Sequence, residues 1–293
     1  MTSQVSTQAI TYVGERESFT REKILARLRG VIAAGRPIVG AGSSVGIVAK
    51  AAEAGGADLI ICYSTGRSRI MGLPTTQLGH SNPMTLGMYE EIANVVDHTP
   101  IIGGAHAGDP TYRRLPRLTR AFRDTGFDGI INFPSVGLNP ELGATRDHVG
   151  QGLTQEFAMI GLARSENYFT MGYAYHVEQA IGLARAGVDV QVAHAGWTSG
   201  GAQGASNSLV RSLEQAAEHT QKIIDVTWKE NPDCIVLAHG GAIAEPEDTA
   251  YLYEQTDAQG FVGASSIERI PIERAIHDTV AALKNQSPRR RPA

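Results

Sequence analysis

Cysteine is scarce. The 293 residues hold two, Cys62 and Cys234, each inside an apolar run and neither in a CxxC or metal-ligand spacing, which argues against a disulfide framework and against a cysteine-built metal centre. Each reads as a buried free thiol that packs as a small hydrophobe. Long hydrophobic runs are missing too: none approaches the roughly 18 residues of a membrane span, and the first twenty residues carry no apolar core of the kind a signal peptide needs. A cytoplasmic chain without a membrane segment is the expectation. Charge of one sign is not in excess either, with 26 basic and 30 acidic residues and a net charge of −4, so no basic surface for nucleic acid is expected. The only basic run, Arg289-Arg-Arg291, sits in a proline-bounded tail and reads as a solvated end.

What remains is the composition of a soluble globular protein, 42% hydrophobic and 19% charged. The chain is long enough for one large core. Along it a single unit repeats from Pro37 onward: an apolar strand ends on glycine or a small residue, a helical stretch follows, and a glycine turn leads to the next strand. The strands are expected at 37–42, 58–63, 100–105, 128–133, 168–173, 188–193, 234–238 and 261–264. Helices are expected at 45–54, 86–96, 112–124, 152–164, 177–186, 209–229, 246–253 and 271–283. Strands that are apolar throughout, alternating with helices, indicate a parallel sheet covered on its faces, and eight such units indicate an α/β fold of the (β/α)8 TIM-barrel type. An open doubly wound sheet is the alternative. An extra amphipathic helix, capped by Thr20 and carrying Ile24, Leu25, Leu28, Val31 and Ile32 at helical spacing, precedes the first strand. The organisation expected is an N-terminal extension over 1–19, a barrel over 20–284 and a basic tail over 285–293.

Two strand ends match. Gln191-Val-Ala-His194-Ala-Gly196 and Ile235-Val-Leu-Ala-His239-Gly240-Gly241 are each an apolar run that stops at a histidine and turns on glycine. In a barrel the two histidines project from one rim, the rim whose loops carry the chemistry. Other strand ends offer Ser64 and Arg67 after the second, His106 and Asp109 after the third, and Asn132 on the fourth; Glu156 follows in the next helix. For each, a hydrogen-bonded structural role stands beside the functional one. The histidines fit no HExxH or other local metal signature, and acid/base work near neutral pH is favoured over metal binding. Asn132 is a candidate oxyanion donor. The loops at Gly240-Gly241 and Gly263-Ala-Ser265-Ser266 stand where barrels hold phosphate, and a carboxylate or enolate oxygen would use the same donors.

Four motifs in order, Asn132-Phe-Pro-Ser-Val-Gly-Leu138, Ala193-His194-Ala-Gly-Trp-Thr-Ser-Gly-Gly201, His239-Gly-Gly-Ala-Ile-Ala-Glu-Pro-Glu-Asp248 and Gly260-Phe-Val-Gly-Ala-Ser-Ser-Ile-Glu-Arg269, resemble the phosphoenolpyruvate hydrolase-like family, also described as TIM-barrel signal transduction proteins. That family stands near the phosphoenolpyruvate mutase and isocitrate lyase superfamily, and a related barrel forms part of plant virus-resistance proteins. The resemblance runs from about Arg21 to Leu283. It implies an oligomeric barrel that handles a small anionic substrate related to phosphoenolpyruvate or a 2-oxo acid, with Asn132, Glu156, His194, Gly200, Gly201, His239, Gly240, Gly241, Ser265, Ser266 and Glu268 at the matching positions. Where metal-binding superfamily members carry an Asp-Ala-Asp sequence after the third strand, this chain reads Gly103-Gly-Ala-His-Ala-Gly-Asp109, which puts magnesium dependence in doubt. No cofactor is assigned; a divalent metal is left open. The leading expectation is hydrolysis of a phosphoenolpyruvate-like substrate, with His194 and His239 as base and acid, Glu156 orienting one of them and Asn132 on the oxyanion. A retro-aldol or retro-Claisen lyase and a non-catalytic sensing barrel are the alternatives.

Overall fold

The computed structural model describes residues 14, 16–205 and 210–288. Most of the expected 1–19 extension and the Arg289-Arg-Arg291 run lie outside the described residues. Eight strands close into one parallel barrel in chain order: β1 (Ile38–Gly42), β2 (Leu59–Cys62), β3 (Ile101–Gly104), β4 (Gly129–Ile131), β5 (Phe169–Ala174), β6 (Val190–His194), β7 (Ile235–His239) and β8 (Gly260–Gly263). The expected (β/α)8 fold is what forms; β1 pairs with β8, which rules out the open sheet.

Alternation along the strands decides which residues meet. Leu59 and Ile61, Ile131, Phe169 and Met171 and Tyr173, Val190 and Val192, and Ile235 and Leu237 share one lumen cluster, while Ile60, Ile130 and Ala193 pack outward against the helices. Period 2 then puts His194 and His239 in the lumen, each as the last residue of its strand. Their register is direct: His194 stands opposite His239, the fifth rung of the β6–β7 ladder.

Helix α1 (Arg21–Ala33) closes the other end, burying Ile24, Leu25, Leu28 and Val31 in the lumen cluster. Its entry is pinned where Arg21 makes a forked contact with Asp189 at 2.7–3.0 Å. The aspartates that begin the strands do similar work at this face. Asp58 accepts from the Val39 amide, Asp128 from Ile101 and Asp189 from Thr170, so each stitches its strand start to a neighbour.

Around the barrel run α2 (Gly46–Ala54), α3 (Thr65–Ile70), α4 (Ser81–Ala93), α5 (Leu115–Thr125), α6 (Pro140–Asp147), α7 (Leu153–Ser165), α8 (Val177–Arg185), α9 (Leu213–Glu230), α10 (Pro246–Gln255) and α11 (Ile270–Lys284). Two of these, α3 and α6, occupy stretches expected to be loop. The α6 start is local: Asn139 accepts from the Leu142 amide and Pro140 fills the first turn. α5 begins at Leu115 and not at 112, because Asp109 caps a separate 3-10 turn over Pro110–Tyr112. α9 begins at Leu213 because Ser212 and Gln215 form a reciprocal capping box.

Candidate active site

A cavity of about 350 Å³ opens at the C-terminal rim. Its floor is a layer of rings delivered by the strand ends: Tyr63 after β2, Phe133 after β4, His194 on β6 and His239 on β7. Tyr173 lies among them, its ring centroid 5.1 Å from His194 and 5.0 Å from His239. Gly104 makes room for this layer, since a Cβ there would come within 2.4 Å of the Tyr63 Cβ. Over the floor lies the glycine-rich segment after β6, with Trp197, Thr198 and 202–205 facing the cavity.

The two histidine rings meet edge to face at 4.3 Å, and Tyr175 stacks on His194 at 4.2 Å. Their backbone partners fix opposite tautomers. The Val262 carbonyl only accepts, so the 2.6 Å contact with His239 Nδ1 places the proton on Nδ1 and leaves a lone pair on Nε2. At His194 the Gly196 amide donates to Nδ1 at 3.1 Å, so the proton sits on Nε2. Neither Nε2 has a partner among the described residues, and both rings line the cavity. Burial holds both imidazoles neutral: it pushes His239 down to about 4, and His194 well below its ordinary value, with the neighbouring His239 adding to the effect.

A guanidinium completes the wall. Arg69 on α3 is almost fully buried and lines the cavity, while Nε and Nη2 donate to Glu268 Oε2 at 2.9 and 2.7 Å. Glu268 also accepts from the Ser44 amide at 2.7 Å and from the Ser44 hydroxyl. Arg69 Nη1 is not engaged by Glu268, and the Tyr63 hydroxyl stands against the same guanidinium. A second arginine, Arg269, reaches the cavity from the other side, held by Glu273 at 3.2 Å and donating to the Gly200 carbonyl at 3.0 Å. Glu273 in turn accepts from the Ala202 amide at 2.8 Å, so the start of α11 clasps the roof segment.

The residues singled out in the sequence separate into groups. His194, His239 and Ser265 line the cavity; Glu268 holds Arg69, and Gly200 and Gly201 form the clasped part of the roof. Gly240 and Gly241 take positive φ (75° and 64°) and make the turn after β7, where a Cβ on Gly240 would lie 2.3 Å from the Gly196 carbonyl. Ser266 does not line the cavity but a separate hollow beside Pro246 and Phe261, and its buried hydroxyl has no partner among the described residues. Asn132 and Glu156 do not line it. They bind each other behind Phe133, where Glu156 accepts from Asn132 Nδ2 at 2.6 Å, Ser135 Oγ at 2.8 Å, the Val136 amide at 2.9 Å and Gln179 Nε2 at 3.3 Å. Burial pushes Glu156 up to about 7 against those donors. Ser64, Arg67, His106 and Asp109 also lie outside the lining: Ser64 is buried, Arg67 half-buried on α3, and His106 and Asp109 are both fastened to Asn82.

No group of three or more His, Cys, Asp or Glu side chains suited to a metal occurs among the described residues. Asp109, the one carboxylate near the expected metal position, already accepts from Thr111 through both amide and hydroxyl, and from Asn82. Burial raises its pKa, but those donors outweigh burial and hold it below the usual carboxylate range. Magnesium, which takes carboxylates and water in near-octahedral array, therefore does not fit these residues.

A closed eightfold barrel with a paired-histidine floor, a buried arginine and a glycine-rich roof defines the class: a TIM-barrel protein with a cavity at its C-terminal rim. Comparison with known sequences gives the family. A profile of the phosphoenolpyruvate hydrolase-like family matches residues 23–286, and the chain belongs to that family. It is 40% identical over 270 residues to the "ToMV susceptible protein tm-1(GCR26)" of Solanum lycopersicum, covering 90% of this chain and 35% of the relative. It is 39% identical over 273 residues to the "ToMV resistance protein Tm-1(GCR237)" of the same plant, covering 91% and 36%. The chain thus spans about a third of the length of these relatives. Among solved structures, a phosphoenolpyruvate phosphomutase from Streptomyces platensis superposes with a TM-score of 0.58 at 18% identity, covering 89% of this chain and 88% of the other. A phosphonopyruvate hydrolase complexed with oxalate and Mg++ gives 0.56 at 16%, covering 89% and 87%. At these identities the likeness is one of fold.

Proposed function

We propose that this barrel is an enzyme that cleaves a small carboxylated enol or oxo acid by acid/base chemistry. One observation carries the reading: the two rim imidazoles are held neutral in opposite tautomers inside one cavity. His239 Nε2 is the base, and His194 Nε2–H is the donor toward oxygen or the departing carbon. This reverses the roles expected from sequence, and the reversal follows from which backbone group each Nδ1 meets. Arg69 Nη1 takes the carboxylate, and Ser265 lines the same space. Glu156 and Asn132 act as positioning residues that hold the segment carrying Phe133. The family's name and the hydrolase, lyase and mutase structures that share the fold support a hydrolase or lyase type.

The test is turnover of a panel of phosphoenolpyruvate and β-oxo acids by the wild type and by His239→Asn. Loss of turnover with retained fold is expected, and unchanged turnover would remove the base. A second reading, a sensing barrel without turnover, is favoured by the lack of a metal-ligand group among the described residues. A compound that raises Tm and is recovered unchanged after incubation with the protein would support it.

A further inference from the structure

The charges around the cavity limit what it can bind. Two cations reach it, and each is already matched: Arg69 by Glu268 at 2.7 Å and Arg269 by Glu273 at 3.2 Å. The two histidines are neutral. Arg211 stands near His194, but it is exposed, lies outside the lining and spends a donor on the Ala195 carbonyl. The formal charge of the lining and its partners is therefore close to zero before a ligand enters, with Arg69 Nη1 not engaged by Glu268. A phosphate ester with a carboxylate, or a dicarboxylate, would bring two or three negative charges into this space. Enzymes that transfer phosphoryl groups meet such charge with metal ions and arginine clamps; among the described residues no metal-ligand group occurs, and both arginines of this cavity are already matched by carboxylates. Of the remaining wall, Tyr63, Phe133, Trp197 and Pro74 form an apolar and aromatic part, beside the polar Thr75, Thr198, Gln203 and Ser265.

Resting on the acid/base reading above, we infer that the substrate is a monoanionic 1,3-diketone, of which an acylpyruvate with an apolar or aryl arm is the simplest, and that it is hydrolysed without metal. The carboxylate lies on Arg69 Nη1 and the arm lies against the aromatic wall. His239 Nε2 takes a proton from water as the hydroxyl oxygen bonds to the acyl carbonyl carbon. The bond between that carbon and the central methylene then breaks, and its electron pair passes into the pyruvate enolate. The proton taken by His239 returns to the methylene carbon. Water is thus divided, OH to the acyl fragment and H to pyruvate, and no oxidant, reductant or cofactor is consumed. His194 Nε2–H faces the oxygen on which charge builds. The diketone is what makes metal dispensable: the charge of the departing carbanion falls on a ketone oxygen, whereas hydrolytic cleavage of oxaloacetate expels the enediolate of a carboxylate, a much stronger base.

The experiment uses EDTA-treated full chain and four probes: benzoylpyruvate, neutral benzoylacetone, oxaloacetate and phosphoenolpyruvate. The expected result is benzoate and pyruvate in equal amounts from benzoylpyruvate, with kcat/KM at least tenfold above oxaloacetate and phosphoenolpyruvate. Arg69→Lys, which keeps the charge facing Glu268, is expected to raise KM for benzoylpyruvate about tenfold and to shrink the preference for benzoylpyruvate over benzoylacetone; an undiminished preference would remove Arg69 as the carboxylate's partner. Preference for oxaloacetate or phosphoenolpyruvate, or activity that returns only with added Mg²⁺, would overturn the substrate class. If His239→Asn abolished that other turnover, the acid/base reading would survive. Turnover of none of the four would overturn the inference.

Discussion

At the scale of single residues, the histidines set the pH behaviour. An imidazole whose folded pKa lies below its unfolded value of about 6.5 favours folding while neutral, so its contribution is intact above that value and is lost as pH falls toward about 4. For His239 the loss is on the order of 3 kcal/mol. Glu156 has the opposite sign. Its carboxyl, pushed up to about 7, favours the protonated folded state, so acidification from 7 toward 4.5 stabilises. Denaturant titrations from pH 7 to 4 are expected to show a smaller acid loss in His239→Asn than in the wild type, and an equal loss in both would contradict the burial of a neutral ring. Arg69 and Glu268 form the other sensitive pair. Removing the carboxylate alone with Glu268→Ala leaves a buried cation, expected to cost about 3–5 kcal/mol in chemical denaturation.

The same pair shows what a sequence conceals. His194 and His239 were legible because an apolar run of period 2 that ends at a rim tells where its last side chain points. Arg69 was not, although Arg67 two residues before it was chosen, because the reason for Arg69 lies 199 residues away in Glu268. Glu156 and Asn132 were legible as polar residues at a rim, but not as partners of each other. Their network is closed by Ser135 and Gln179, which no local pattern links to them.

Among the elements, the roof segment and the start of α11 behave as one piece. Gly241 accepts from the Ser199 amide at 3.0 Å, Glu273 from Ala202 at 2.8 Å, and Gly200 from Arg269 at 3.0 Å. Hydrogen bonds to charged groups are worth about 1.5–3 kcal/mol. Glu273→Ala is thus expected to speed amide hydrogen exchange across 199–205 and raise KM while the barrel strands keep their protection; unchanged exchange there would show that the clasp is not what holds the roof. At the opposite end, Leu28 of α1 is fully buried in the lumen cluster. Leu28→Ala is expected to cost about 2–5 kcal/mol in chemical denaturation, and a cost below 1 kcal/mol would contradict the plug. The existence of the strands and of α1 was readable from periodicity. The positions of α3 and α6 were not, since both are short and lie inside glycine- and proline-marked stretches that read as loops.

For the whole molecule, α11 presents an exposed apolar face. Ile270 is its one buried residue, and Ile276, Val280 and Leu283, at i, i+4 and i+7, are 60%, 58% and 69% exposed. An apolar stripe of that kind marks a contact surface, and the expected homo-oligomer would use it. Light scattering of the triple substitution of Ile276, Val280 and Leu283 by Glu is expected to give a monomer from a larger wild-type species; identical masses would remove the role of the stripe. The barrel as a whole was legible because eight repeats of one strand-and-helix unit leave few ways to bury their apolar faces. The chemistry was less so, since it depends on which backbone groups meet two imidazole nitrogens.

That dependence makes one measurement decisive: kcat/KM of EDTA-treated wild type and His239→Asn on the oxo-acid and 1,3-diketone panel, with circular dichroism to show that both are folded. Loss of a general base is expected to lower kcat/KM by roughly 10²–10⁴, with the wild type active in chelator. Equal rates in the two proteins, or a wild type inert until metal is restored, would contradict a metal-free histidine pair at the centre of this barrel.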